Sequence, residues 1–121
     1  MKKYNIQNYI RYKNDMSSVL ARLPDVDYEE YSRDQLIVRF LPLVENLARK
    51  FSTSQQAVGV MTINDLIQEG FYGLCAGADR VNWETINEAN DKEKTLKSFL
   101  SKRIKGAIRR GIDSNRGSMR I

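Results

Sequence analysis

The sequence predicts an all-α domain of four to five helices. Over most of the chain apolar residues recur at spacings of three and four, not two. Capping residues and prolines punctuate those stretches. The 121 residues suffice for one domain with a modest core. An N-terminal helix is expected within residues 1–26 and the main domain within 27–121.

Ile6, Tyr9, Tyr12, Met16, Val19, Leu20 and Leu23 predict a helix over residues 5–23, which Pro24 ends. The acidic link "DVDYEE" follows. Asp27 with Glu30 three residues on predicts a capped start for a second helix, from about Tyr28 to Phe51. Ile37, Phe40, Leu41, Val44, Leu47, Ala48 and Phe51 form its apolar stripe. Pro42 inside it removes one backbone hydrogen bond and is expected to bend it. "STSQQAVGVM" is read as loop.

Thr62 and Asp65 predict a capping box for a third helix, running to about Arg80. "VNWETINEANDKE" is polar and breaks the periodicity, so it is either loop or loosely helical. Leu96, Phe99, Leu100, Ile104, Ala107 and Ile108 predict a last long helix from about Glu93 to Asp113. The tail "SNRGSMRI" is expected to fray.

Several function classes lose ground on composition. No apolar run approaches the roughly 20 residues a membrane span needs. The N-terminus lacks the apolar core of a signal peptide, so a cytoplasmic protein is expected. The single cysteine, Cys75, has no internal disulfide partner, and histidine is absent. The commonest general base and transition-metal ligand is therefore missing. With no phosphate-cradling glycine loop or activated-serine motif, we expect a binding protein with no catalytic residue, metal or cofactor. Charge is unevenly placed. Residues 94–121 hold nine Lys or Arg against one acid, whereas residues 1–93 hold eleven against fourteen. A cationic end on a slightly acidic body points to a polyanionic partner.

The stretch "NDLIQEGFYGL" raises the sharpest question. Each helical glycine costs roughly 1 kcal/mol against alanine, yet Gly70, Gly73 and Gly77 fall within one predicted helix. On a helical wheel Asp65, Gln68, Glu69, Tyr72, Ala76 and Asp79 share one side. Ile63, Ile67, Gly70, Leu74, Gly77 and Ala78 lie opposite. The glycines then flank or join the buried side, where a missing Cβ admits a neighbouring helix. The acidic stripe is either a solvated face or a docking surface for a basic partner.

"TINDLIQEGFYGLCAGADR" resembles the conserved core of region 2 of bacterial sigma factors. Upstream, "LPLVENLARKF" resembles the preceding block of that region, proline included. Downstream, "LKSFLSKRIKGAIRRGIDSNRGSMRI" resembles its later blocks. The likeness covers about residues 33–121 apart from the insertion near 82–94, and the N-terminal helix is similar only loosely to region 1.2. The resemblance implies a region 2-like helical domain. It also implies docking on the arginine-rich clamp helices of the largest subunit of bacterial RNA polymerase core. Asp65, Gln68, Glu69 and Tyr72 would form the polymerase-facing group.

On the last helix Ser98, Lys102, Lys105 and Arg109 share a face, with Lys97, Arg103 and Arg110 on its flanks. Such a face is either solvated or a phosphate-binding surface. The resemblance implies contact with promoter DNA at a minus-ten-like element. Phe99 falls on the family's base-stacking aromatic position, although it also borders the apolar side and is equally readable as core. Lys105 and Arg109 fall where the family meets the upstream duplex edge.

Departures from the family pattern are specific. Lys102 and Arg103 replace a tryptophan pair that wedges the duplex open, and Leu96 and Val81 replace two further aromatics. Trp83, in the insertion, either substitutes as a wedge or covers the core. No block resembles the helix-turn-helix that reads the minus-thirty-five element. The resemblance therefore implies either a shortened chain or a minimal factor like the late sigma factors of T-even-like phages, with a phage co-activator or sliding clamp as helper. An inhibitor or adaptor on the same polymerase surface is the second reading, and a DNA-binding helical protein that never meets polymerase is the third.

Overall fold

A computed structural model describes residues 15, 17–53 and 61–119, with side chains as far as Asn115. Residues 17–21 are helical. A 3-10 turn over Tyr28–Glu30 follows, then helices α1 (Arg33–Ser52), α2 (Ile63–Ala78), α3 (Trp83–Glu88) and α4 (Lys92–Met119). There is no strand among the described residues, so the fold is all-α as expected. The rest of the predicted N-terminal helix and most of the "STSQQAVGVM" loop lie outside the described residues.

The second predicted helix begins later than expected. Asp27 makes no side-chain cap hydrogen bond, and the turn at Tyr28 closes as 3-10. The α-helix starts after Ser32, whose hydroxyl accepts from the Gln35 N–H at 3.1 Å while the Gln35 side chain accepts from the Ser32 N–H at 2.9 Å. This reciprocal box satisfies two donors that would otherwise be orphaned. α1 then runs through Pro42 without interruption. α2 starts with the expected Thr62–Asp65 box. The polar insertion forms the short helix α3, capped by Asn82, whose side-chain oxygen accepts from the Thr85 N–H at 3.3 Å. The "SNRGSMRI" segment continues α4 to Met119 instead of fraying after Asp113.

The core is one apolar cluster drawn from every α-helix. Leu36, Phe40 and Val44 of α1 meet Leu66 and Leu74 of α2 and Leu96, Leu100, Ile104 and Ile108 of α4, and Ile86 of α3 seals one end. α2 and α4 run antiparallel. The neighbours of Gly70 include Ile108, while those of Gly77 include Leu100. The buried face of α2 comprises Leu66, Gly70, Gly73, Leu74 and Gly77. It is rotated from the expected one, and Ile63 and Ile67 are only half-buried. The glycines explain the rotation, because α4 can approach closest along the line where side chains are missing.

Polar contacts fasten the ends. The Tyr28 hydroxyl donates to Glu93 at 2.9 Å, and Arg39 of α1 reaches the same carboxylate oxygen at 3.3 Å. Burial and the Glu93 contact push the Tyr28 phenol above its ordinary pKa. The Tyr31 hydroxyl donates to the Pro24 carbonyl at 2.9 Å.

Candidate functional site

The two predicted groups of site residues fall on neighbouring helices, α2 and α4. The acidic stripe of α2 is engaged within the fold. Asp65 accepts from the Thr62 N–H at 3.1 Å, so its carboxylate already serves the helix start. Glu69 is half-buried and leans across α4. A Cβ added to Gly111 would stand 2.7 Å from its Cγ. Asp79 binds Arg33 through both carboxylate oxygens, the longer contact from Nη2 being 3.1 Å. That guanidinium holds the Asp79 carboxyl below the usual range, and the Arg33 pKa rises in turn.

The part of α2 that faces outward is therefore less acidic than the sequence suggests. Gln68 is exposed, and its side-chain nitrogen donates to the Tyr72 hydroxyl at 3.0 Å. Tyr72 is 55% exposed, and Phe71 beside it is 36% exposed. Their ring centroids lie 6.3 Å apart. Sequence reasoning missed Phe71. Its signal was an aromatic residue on the rim of a polar helix side, next to Tyr72. Cys75 is half-buried one turn on, and burial raises its thiol pKa.

Of the predicted site residues on α4, Lys97, Ser98, Lys102, Arg103, Arg109 and Arg110 are exposed and Lys105 is half-buried. The buried side holds Leu96, Leu100, Ile104 and Ile108. This leaves Ser98, Lys102, Lys105 and Arg109 directed away from the core. Phe99 is half-buried and packs against the core, and the Arg103 guanidinium lies over its ring at 5.3 Å. Arg109 lies over the Phe51 ring at 5.6 Å. Such cation–aromatic contacts hold a guanidinium in place without neutralising it. Trp83 is not on α4. It opens α3 and packs partly against the core.

No family model, curated protein or solved structure matches this chain. The side chains define what each surface can do. The α4 face lines up cations that can neutralise successive phosphates. The α2 ridge offers two aromatic rings beside hydrogen-bonding groups, a combination enriched at the centres of protein interfaces. Between the helices lies a groove of about 300 Å³, with Glu69 and Arg110 among its lining residues. Among the described residues no group of three or more His, Cys, Asp or Glu is placed to hold a metal. No described helix is long and apolar enough to cross a membrane.

Proposed function

We propose that this chain is a sigma-like initiation factor. The outward side of α2 docks on the clamp helices of bacterial RNA polymerase core, and the outward face of α4 contacts promoter DNA at a minus-ten-like element. The polymerase performs the chemistry, and helper proteins complete promoter recognition. The observation that carries this reading is the placement of two chemically distinct outward faces on adjacent antiparallel helices of one core. The ordered motif resemblance supports it. Docking rests on Gln68, Phe71 and Tyr72 with help from Glu69 and Asp65. Steering toward a basic partner is correspondingly weaker than a free acidic stripe would give.

A second reading has its own support. Arg103 covers one face of Phe99, and Trp83 packs on the core. Both aromatics that could help open DNA are thus partly occupied. An inhibitor or adaptor would hold the same polymerase surface without melting a promoter. Run-off transcription with core polymerase separates the two readings. New specific starts support the factor, whereas reduced host transcription with no new start supports the inhibitor. Failure to co-purify with core polymerase in the absence of DNA rejects both.

A further inference from the structure

We propose that the groove beside Trp83 docks a cationic, apolar peptide segment of a partner protein. The groove lies between the Tyr28–Glu30 turn and α3 and encloses about 190 Å³. That is about six water volumes, below the roughly 300–1,000 Å³ of small-molecule sites. It suits one or two side chains and not a cofactor. Tyr28, Trp83 and Ile86 supply apolar walls. Val26 on the lining is 43% exposed, although it is an aliphatic residue beside an apolar cleft.

The rim decides the sign of the partner. Asp27, Glu29 and Glu93 line the groove against one lysine, Lys92. Asp27 makes no cap hydrogen bond, so its carboxylate is free to meet a cation. Glu29 accepts from the Asn87 side chain at 2.7 Å, and Glu93 accepts from Tyr28. Both are held in place, but Glu93 is paired with Arg39 at 3.3 Å, so Asp27 and Glu29 supply the rim's uncompensated negative charge. Charges beyond about 8 Å are largely screened at physiological salt, so these nearby carboxylates dominate what approaches. A phosphate backbone is repelled, which takes Trp83 away from the nucleic-acid role expected of it. A lysine or arginine flanked by a leucine-sized side chain satisfies both the rim and the walls. This surface takes in the first turn of α4, through Lys92 and Glu93, but none of the α2 or α4 residues assigned above to polymerase or DNA.

Trp83 is the chain's one tryptophan, so its emission reports on this groove directly. The full chain is titrated with a tryptophan-free peptide of alternating lysine and leucine, with its glutamate–leucine counterpart, and with a single-stranded oligonucleotide. The lysine–leucine peptide is expected to shift Trp83 emission to shorter wavelength and to saturate. Asp27→Lys, which reverses one rim charge, should weaken that binding about fivefold. Asp27→Asn should weaken it less. Circular dichroism of both variants should match the parent. No shift with the lysine–leucine peptide, an equal shift with the glutamate–leucine peptide, or unchanged binding by Asp27→Lys would overturn the proposal. A response to the oligonucleotide alone would return Trp83 to the nucleic-acid face. None of these outcomes depends on polymerase binding.

Discussion

Gly73 of α2 sits directly against Ala107 of α4. A Cβ added at Gly73 would stand 2.7 Å from the Ala107 Cβ and 2.7 Å from the Arg103 carbonyl oxygen. Neither neighbour is the flexible end of a long side chain, so neither can move aside cheaply. The contact fixes the spacing between the helix assigned to the polymerase and the helix assigned to DNA. It also explains a glycine-weakened helix, because close packing offsets the lost propensity.

Gly73→Ala should therefore destabilise the domain although alanine is the better helix former. Overpacking costs about 1–3 kcal/mol, while the propensity gain is about 1 kcal/mol. Two rigid contacts at 2.7 Å put the cost at the upper end of that range, so the expected net loss is about 2 kcal/mol, read as a lower urea midpoint. Gly106→Ala is the control. Its added Cβ would meet only Arg110 Nη1, at 3.4 Å, so it should be neutral or stabilise by up to about 1 kcal/mol. A Gly73→Ala variant as stable as the parent would mean that the helices are not in this contact.

Docking on polymerase should depend more on Gln68, Phe71 and Tyr72 than on the carboxylates. Changing Gln68 and Tyr72 together to lysine should abolish co-purification with core polymerase and leave the thermal midpoint nearly unchanged, since both are exposed. Asp65→Lys is a poor probe of docking. It removes the Asp65 arm of the capping box and puts a cation at a helix N-terminus, so it should cost up to about 1 kcal/mol of stability by itself. Retained polymerase binding by the Gln68/Tyr72 double variant would contradict the assignment of this ridge.

The α4 face makes a quantitative prediction in salt. Replacing Lys105 and Arg109 with alanine should lower promoter affinity and flatten its dependence on salt. The slope should fall by about 0.9 for each lost phosphate contact. Polymerase binding should not change. An unaltered slope, measured by fluorescence anisotropy over a salt series, would remove these residues from the DNA face.

The Arg33–Asp79 pair predicts a feature of acid behaviour. The guanidinium lowers the Asp79 pKa in the folded state. Its contribution to stability is therefore present above the unfolded-state value and is lost as pH falls through the folded one. In Arg33→Ala the Asp79 carboxyl should titrate in the ordinary range when followed by NMR. The stability difference between variant and parent should shrink as pH falls through that window. Both side chains are about half exposed, so added salt should also reduce the difference.

Much of the fold was legible in the sequence, and the failures have definite causes. The apolar stripe of α1 and the Thr62–Asp65 box follow from local spacing, and both hold. The start of α1 was misread because Asp27–Glu30 and Ser32–Gln35 are both capping-type pairs five residues apart, and local chemistry does not rank them. α3 was left open because six residues are too few for a periodic signal. The outward face of α4 was readable because its cations recur at helical spacing. The engagement of Asp65 was readable as its capping box, but that of Asp79 and Glu69 was not, because Arg33 and Gly111 lie far from them in sequence. For the same reason the cover that Trp83 gives the core had to await the tertiary packing.

Which surface of α2 meets the polymerase decides the proposed function. A cryo-EM reconstruction of the chain bound to bacterial core polymerase tests this directly. The expected map places Gln68, Phe71 and Tyr72 against an arginine-rich coiled coil, with Lys102, Lys105 and Arg109 turned toward the DNA channel. A map with these α2 residues in open solvent, or with α4 packed on protein and away from DNA, would contradict it.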